Sequence, residues 1–390
     1  MPTYHITINR IVEGQFIEKE LSCATGKGSP RPFKFKIEKN AVEIEYEMSK
    51  VYSLDKIIAK SDVFREALTK AYLYHALLLN SALKIQRLII CIGDRKHHID
   101  NDSNVSFPFV FSMLTANDLQ LSEEFRLLPD YIVANSIKYN QKELRFVSLA
   151  SYLSAKSKPY QIERFNALWT SINALYNYVG LCYEQRIVAD CRDISRIDIQ
   201  KNLKMYGEDR DAISALMYHL KNGCKKPPRK TEATIKSNHK EKFQKLASLF
   251  QKLSDSEITE LYDLCLADLH TEGISHTLPD KYKPLDDVAA LYQFPSYVFM
   301  LLQYAYSLRC ELFHGNKSTP IIYSYNDRCI GELRVVNYFL NAFLTHEIPL
   351  LYTTDYYGNM HNDLVSLMNS GLLDPSGKQN KYNDFINEHQ

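Results

Sequence analysis

The chain has 390 residues, 45% of them hydrophobic and 24% charged, with a formal net charge of +1. That is enough for two or three domains with separate cores, and it excludes a global basic field as the means of holding nucleic acid. Eight cysteines without a Cys-x-x-Cys pair argue against zinc-ribbon and thioredoxin-like chemistry and suit reduced thiols.

Met1 to Arg10 alternates like a strand and has no apolar signal core. The longest apolar run, Leu291–Leu308, is interrupted by Gln293, Pro295 and Gln303. These features predict a soluble, cytoplasmic protein without membrane contact.

In chain order, Tyr4–Ile8 and Val42–Tyr46 alternate with period two and predict half-buried strands. Thr25–Pro32 between them has loop composition. Its glycines, Gly26 and Gly28, are not followed by the Gly-Lys-Ser/Thr of a phosphate loop, so it reads as a surface turn. Asp62–Asn80 predicts a helix, with Phe64, Leu68, Tyr72 and Leu77 at helical spacing and Ser61 or Asp62 as cap. Ile85–Ile92 predicts a buried strand ended by Gly93-Asp94. His97-His98 reads as an exposed turn rather than a metal pair, because adjacent residues of a strand point to opposite faces.

From Pro129 the pattern becomes helical. Gln141–Ala155 predicts one helix and Gln161–Val179 a stronger one. The latter places Ile162, Phe165, Leu168, Trp169, Ile172, Leu175, Tyr176 and Val179 on one broad face. Beside it runs a polar ridge of Glu163, Asn166, Thr170, Asn173 and Asn177. Asparagine is a poor helix former, so the ridge suits a cleft wall or a hydrogen-bonded contact as well as a solvated face. Asn222–Lys242 is a basic break around Pro227-Pro228; it reads first as a solvated linker, with an RNA-backbone contact arm as the alternative. Phe243–Leu253 and Ser256–Leu269 predict two short amphipathic helices. Pro295–Leu312 predicts a long apolar helix, and Leu333–Glu347 a last one stopped by Pro349.

The segment Tyr306–Gly315 carries the chemistry. It holds the chain's only arginine followed by a histidine with four to six residues between them, Arg309 and His314. Arginine clamps a phosphate and stabilises charge that builds on it. Histidine exchanges a proton near neutral pH. On an ideal helix a five-residue step leaves the two about 140° apart, so they share a site only if the helix ends near Phe313 or a second subunit contributes. Gly315 suits such an ending. The structural alternative is an Arg309 ion pair with Glu163 or Glu311, and His314 at a helix C-terminus.

Glu163-Arg164-Phe165-Asn166-Ala167-Leu168-Trp169, continuing to Asn173-Ala174-Leu175-Tyr176, resembles the opening of the main helix in Apea-like HEPN domains. Arg309 to His314 resembles the Arg-x4-6-His signature of HEPN ribonucleases, in the same order along the chain. The resemblance covers roughly residues 130–350.

The strand and helix periodicities together with this resemblance predict an α+β chain: an N-terminal mixed α/β domain over 1–125, read from the pattern, then the mainly α-helical HEPN-like four-helix bundle that the resemblance implies over 126–355. An insertion at about 187–285 and a C-terminal tail, 356–390, complete the division. The resemblance further implies a homodimer and metal-independent endoribonuclease activity, with no cofactor. In that chemistry the ribose 2′-hydroxyl attacks the adjacent phosphate, with His314 as general base or acid and Arg309 on the phosphorane. Glu163, Asn166 and Lys317 are the candidate substrate-binding residues. The implied partners are RNA (tRNA, mRNA or phage RNA) and a phage trigger or antitoxin, in antiphage defence, abortive infection or toxin–antitoxin biology.

Cys310 departs from the polar residue that often follows the arginine in active members. It leaves open a non-catalytic HEPN-like scaffold that binds RNA, a nucleotide or a partner protein. An enzyme centred in the N-terminal region is a third reading, without a motif to carry it.

Overall fold

The computed structural model describes residues 3–10, 17–23, 31–38, 41–47, 53, 62–83, 85–92, 95–100, 118–126, 144–190, 240–267, 274–292, 297–313 and 327–353. The chain is α+β: among the described residues the strands all lie within the first 100 residues, and helices dominate afterwards. It forms two compact units. One runs to Pro159 and includes Leu344–Thr353; the other runs from Tyr160 to Phe343.

The first unit contains strands β1 (Thr3–Arg10), β2 (Ile17–Cys23), β3 (Arg31–Ile37), β4 (Ala41–Glu47), β5 (Ile85–Ile92) and β6 (Arg95–Asp100). They make one antiparallel sheet in the order β2-β3-β4-β1-β5-β6. Alternation in the sequence becomes alternation of burial. Phe33, Phe35, Ile37, Val42, Ile44 and Tyr46 are buried. The intervening positions form a cross-strand charge ladder, with Glu20 opposite Lys34 opposite Glu45, and Glu18 opposite Lys36 opposite Glu43. Opposite charges at facing positions favour this register over a one-residue slip.

Helix α1 (Asp62–Leu79) joins β4 to β5 and packs on β2, β3 and β4. Its burial is wider than the predicted stripe. Every residue from Lys70 to Leu77 is buried, including Lys70 and His75. Asn80 ends the helix in the left-handed region at φ 52°, where asparagine is tolerated. Its carbonyl accepts from Leu119 N at 2.8 Å and its side-chain oxygen from Leu121 N at 2.9 Å, which ties segment 118–121 to the helix end.

Helices α2 (Glu123–Arg126) and α3 (Leu144–Lys156) follow. Phe125 stacks on Tyr152 at 5.1 Å, and the Tyr152 hydroxyl lies 2.6 Å from Thr345 Oγ1.

The second unit is built from α4 (Gln161–Asp190), α5 (Lys240–Lys252), α6 (Asp255–Leu266), a 3-10 turn at Asp280–Tyr282, α7 (Lys283–Tyr292), α8 (Tyr297–Phe313) and the first part of α9 (Asp327–Thr353). Ser254 and Glu257 form a capping box at the start of α6, satisfying backbone donors that the helix leaves open. Helix α8 has buried residues from Tyr297 through Leu312 and is a core helix of this unit. Gly331 on α9 lies so close to α5 that a Cβ there would stand 2.7 Å from Gln251 Cα.

Three expectations change. His97 and His98 lie within β6, not in a turn, because β6 pairs along β5 with His97 opposite Ile90 and His98 opposite Ile89. Helix α4 continues past Val179 to Asp190. Helix α9 passes through Pro349 to Thr353. Proline removes one backbone donor, but buried Glu347, Ile348 and Pro349, with the Arg145 guanidinium over the Tyr352 ring at 5.4 Å, hold the last turns in place. Gly26 and Gly28, the basic 222–239 segment and the tail from 354 lie outside the described residues. Among the described residues no helix is long and apolar enough to cross a membrane.

Candidate functional site

Arg309 sits on α8 at intermediate exposure, one residue beyond buried Leu308. One turn earlier on the same helix, Tyr306 meets Trp169 of α4, with ring centroids 6.1 Å apart and planes at 46°. Trp169 is 2% exposed and also stacks on Phe165 at 6.2 Å. The predicted apolar face of α4 is therefore the face that packs: Phe165, Leu168, Trp169, Ile172 and Leu175 are buried, while Ile162 at its edge is half-buried.

Three contacts join the helices around Arg309. Asn337 Nδ2 on α9 donates to the Gln161 backbone oxygen at 2.7 Å and to Gln161 Oε1 at 2.8 Å. The Tyr304 hydroxyl on α8 donates to Glu332 Oε2 on α9 at 2.8 Å. Trp169 and Tyr306 make the third. At a rise of about 1.5 Å per residue, Asn337 lies about 7.5 Å beyond Glu332, and Trp169 about 12 Å beyond Gln161.

Glu163 and Asn166 are exposed on α4, six and three residues before Trp169, and Arg309 is three residues beyond Tyr306 on α8. His314 and Lys317 lie outside the described residues; the helix that carries Arg309 is described to Phe313.

The polar ridge of α4 changes character along its length. Glu163, Asn166 and Thr170 are exposed, and the Thr170 hydroxyl donates to the Asn166 carbonyl at 2.8 Å. Asn173 is half-buried. It lies one turn beyond Trp169.

Beyond this region, the polar groups of the second unit serve as fasteners. The Tyr297 hydroxyl donates to Asp286, and the Asp286 carboxylate accepts from Leu278 N at 3.0 Å, tying the 274–279 segment to α7 and α8. Lys281 donates to Glu260 Oε2 at 2.5 Å; that bond holds the Glu260 carboxyl below its usual pKa and the Lys281 ammonium above its own. Among the described residues no group of three His, Cys, Asp or Glu side chains is arranged to hold a metal ion. The chain matches no protein-family model, no curated protein and no solved structure.

Proposed function

We propose that the second unit is a HEPN-type, metal-independent endoribonuclease, acting in antiphage defence or toxin–antitoxin biology as a homodimer. The observation that carries this reading is Arg309, half-buried at the end of a core helix packed on an aromatic helix, with His314 five residues later. An arginine set partly out of water binds phosphate more strongly than an exposed one, because screening is weaker there. Its planar fork matches two phosphate oxygens.

The reaction needs a base to take the proton from the ribose 2′-hydroxyl, whose oxygen then bonds to phosphorus. The P–O5′ bond breaks, and the leaving 5′-oxygen takes up a proton. The products are a 2′,3′-cyclic phosphate and a 5′-hydroxyl. His314 is the proton-transfer group, and Arg309 offsets the charge on the non-bridging oxygens.

Cys310 supports the second reading, a scaffold that binds RNA without cutting it. One experiment separates the two: total RNA incubated with the protein in EDTA, beside Arg309→Ala and His314→Ala. Cleavage by wild type that falls by about 100-fold or more in both variants supports the enzyme. Intact RNA in every lane, with a dimer that still binds RNA, favours the scaffold.

A further inference from the structure

We propose that α9 is a coupling strut: it ties the stability of the first unit to that of the second, so that loosening one loosens the other, the helix of Arg309 included. The inference is independent of the ribonuclease reading. Among the described residues the chain passes between the units twice, at Pro159–Tyr160 and at Phe343–Leu344. The two crossings differ in kind. Pro159 and Tyr160 are exposed, Tyr160 at 67%, and precede the first turn of α4. Such a connection transmits little between units. Phe343 and Leu344 are buried inside a helix that runs unbroken from Asp327 to Thr353. Leu340 to Leu344 holds no glycine or proline, so nothing there favours a kink.

Each unit holds its own stretch of the helix. In the first, Thr345 Oγ1 lies 2.6 Å from the Tyr152 hydroxyl, and the Arg145 guanidinium stands 5.4 Å from the Tyr352 ring. In the second, Glu332 accepts from Tyr304 at 2.8 Å, and Asn337 donates to Gln161. Tyr304 lies five residues before Arg309 on α8. From Glu332 to Thr345 the helix rises about 20 Å. Helix formation is cooperative, so the turns that one unit grips support the turns that the other grips. Leu344, Glu347 and Ile348 are buried and belong to the first unit. Unfolding that unit would leave the end of α9 without its packing and weaken the same helix where it holds Tyr304 and Gln161.

The test follows the full chain through a urea series with one probe in each unit. Trp169, the single tryptophan, reports the second unit by fluorescence. Hydrogen exchange of the β4 amides, read by mass spectrometry, reports the first. Phe35→Leu places the perturbation in the first unit, where Phe35 is buried on β3 with its ring 5.2 Å from that of Tyr74. The midpoints at Trp169 and β4 are expected to coincide in the wild type and to fall together in Phe35→Leu. Two glycines inserted between Phe343 and Leu344 should separate them, because they turn the far part of the helix by about 200° and interrupt its support. The same pair inserted between Pro159 and Tyr160 should leave them coincident, as exposed connections tolerate insertion.

Wild-type midpoints that already differ, or a β4 midpoint that falls in Phe35→Leu while that of Trp169 stays, overturn the coupling. Midpoints that stay coincident with glycines in α9 overturn the role of the helix. So do midpoints that separate equally with either insertion, because continuity of the chain and not of the helix then decides. A chain that folds with the glycines after Pro159 but not with those in α9 supports the strut. RNA cleavage enters none of these readouts, so failure here leaves the ribonuclease reading standing.

Discussion

The indole of Trp169 and the phenol of Tyr306 meet at 6.1 Å across α4 and α8, three residues before Arg309. This pair joins the helix with the aromatic face to the helix with the arginine. Trp169→Ala is expected to destabilise the protein by about 3–5 kcal/mol, since it leaves a large cavity at a buried position. Urea unfolding followed by circular dichroism measures this. A loss below about 1 kcal/mol would show that the indole is not packed as described.

Tyr304 and Glu332 form a buried hydrogen bond to a carboxylate that is only 1% exposed. Tyr304→Phe is expected to cost about 1.5–3 kcal/mol, the range for bonds to charged groups. A double-mutant cycle with Glu332→Gln should return a coupling of at least about 0.5 kcal/mol. Additive losses would mean that the two side chains act independently.

Gly331 permits a close approach of α5 and α9. Gly331→Ala places a methyl group 2.7 Å from backbone at Gln251, so one helix must move. The expected cost is about 1–3 kcal/mol, despite the better helix propensity of alanine. A stabilised variant in thermal melts would rule out that close approach.

His346 lies on the α9 segment of the first unit. A hydrogen bond between its Nδ1 and the buried Glu347 carboxylate, at 2.8 Å, raises its pKa, partial burial opposes the rise, and Glu124 adds to it. Folding thus tightens proton binding, and protonation stabilises the folded state. The contribution is complete below the unfolded value of about 6.5 and disappears as pH rises through the raised folded value. The side chain is 61% exposed, so solvent screening keeps the effect small. His346→Gln should therefore lower the urea midpoint more at about pH 5.5 than at about pH 8.5. The reverse order would refute the assignment.

Much of the fold was legible along the chain. Val42–Tyr46 alternates with period two, and its burial follows suit. Ile85–Ile92 is a strand over the predicted residues. Phe165, Leu168, Trp169, Ile172 and Leu175 recur at helical spacing and are buried together. In each case one face must leave water, and the residues of that face declare its period. Pro349 and His97-His98 misled for the opposite reason. Local rules make proline a helix stop and polar pairs a turn, yet packing around the last turns of α9 and pairing along β5 prevail.

By itself, the sequence determined the α+β division, the core faces and the presence of one Arg309–His314 spacing, because periodicity and residue chemistry are local properties. The tertiary structure decided which helices meet around Arg309: α4 meets α9 through Gln161 and Asn337, α8 meets α9 through Tyr304 and Glu332, and α4 meets α8 through Trp169 and Tyr306. Those pairs lie 28 to 176 residues apart, or 137 for the two rings (306 − 169), and no local pattern encodes them.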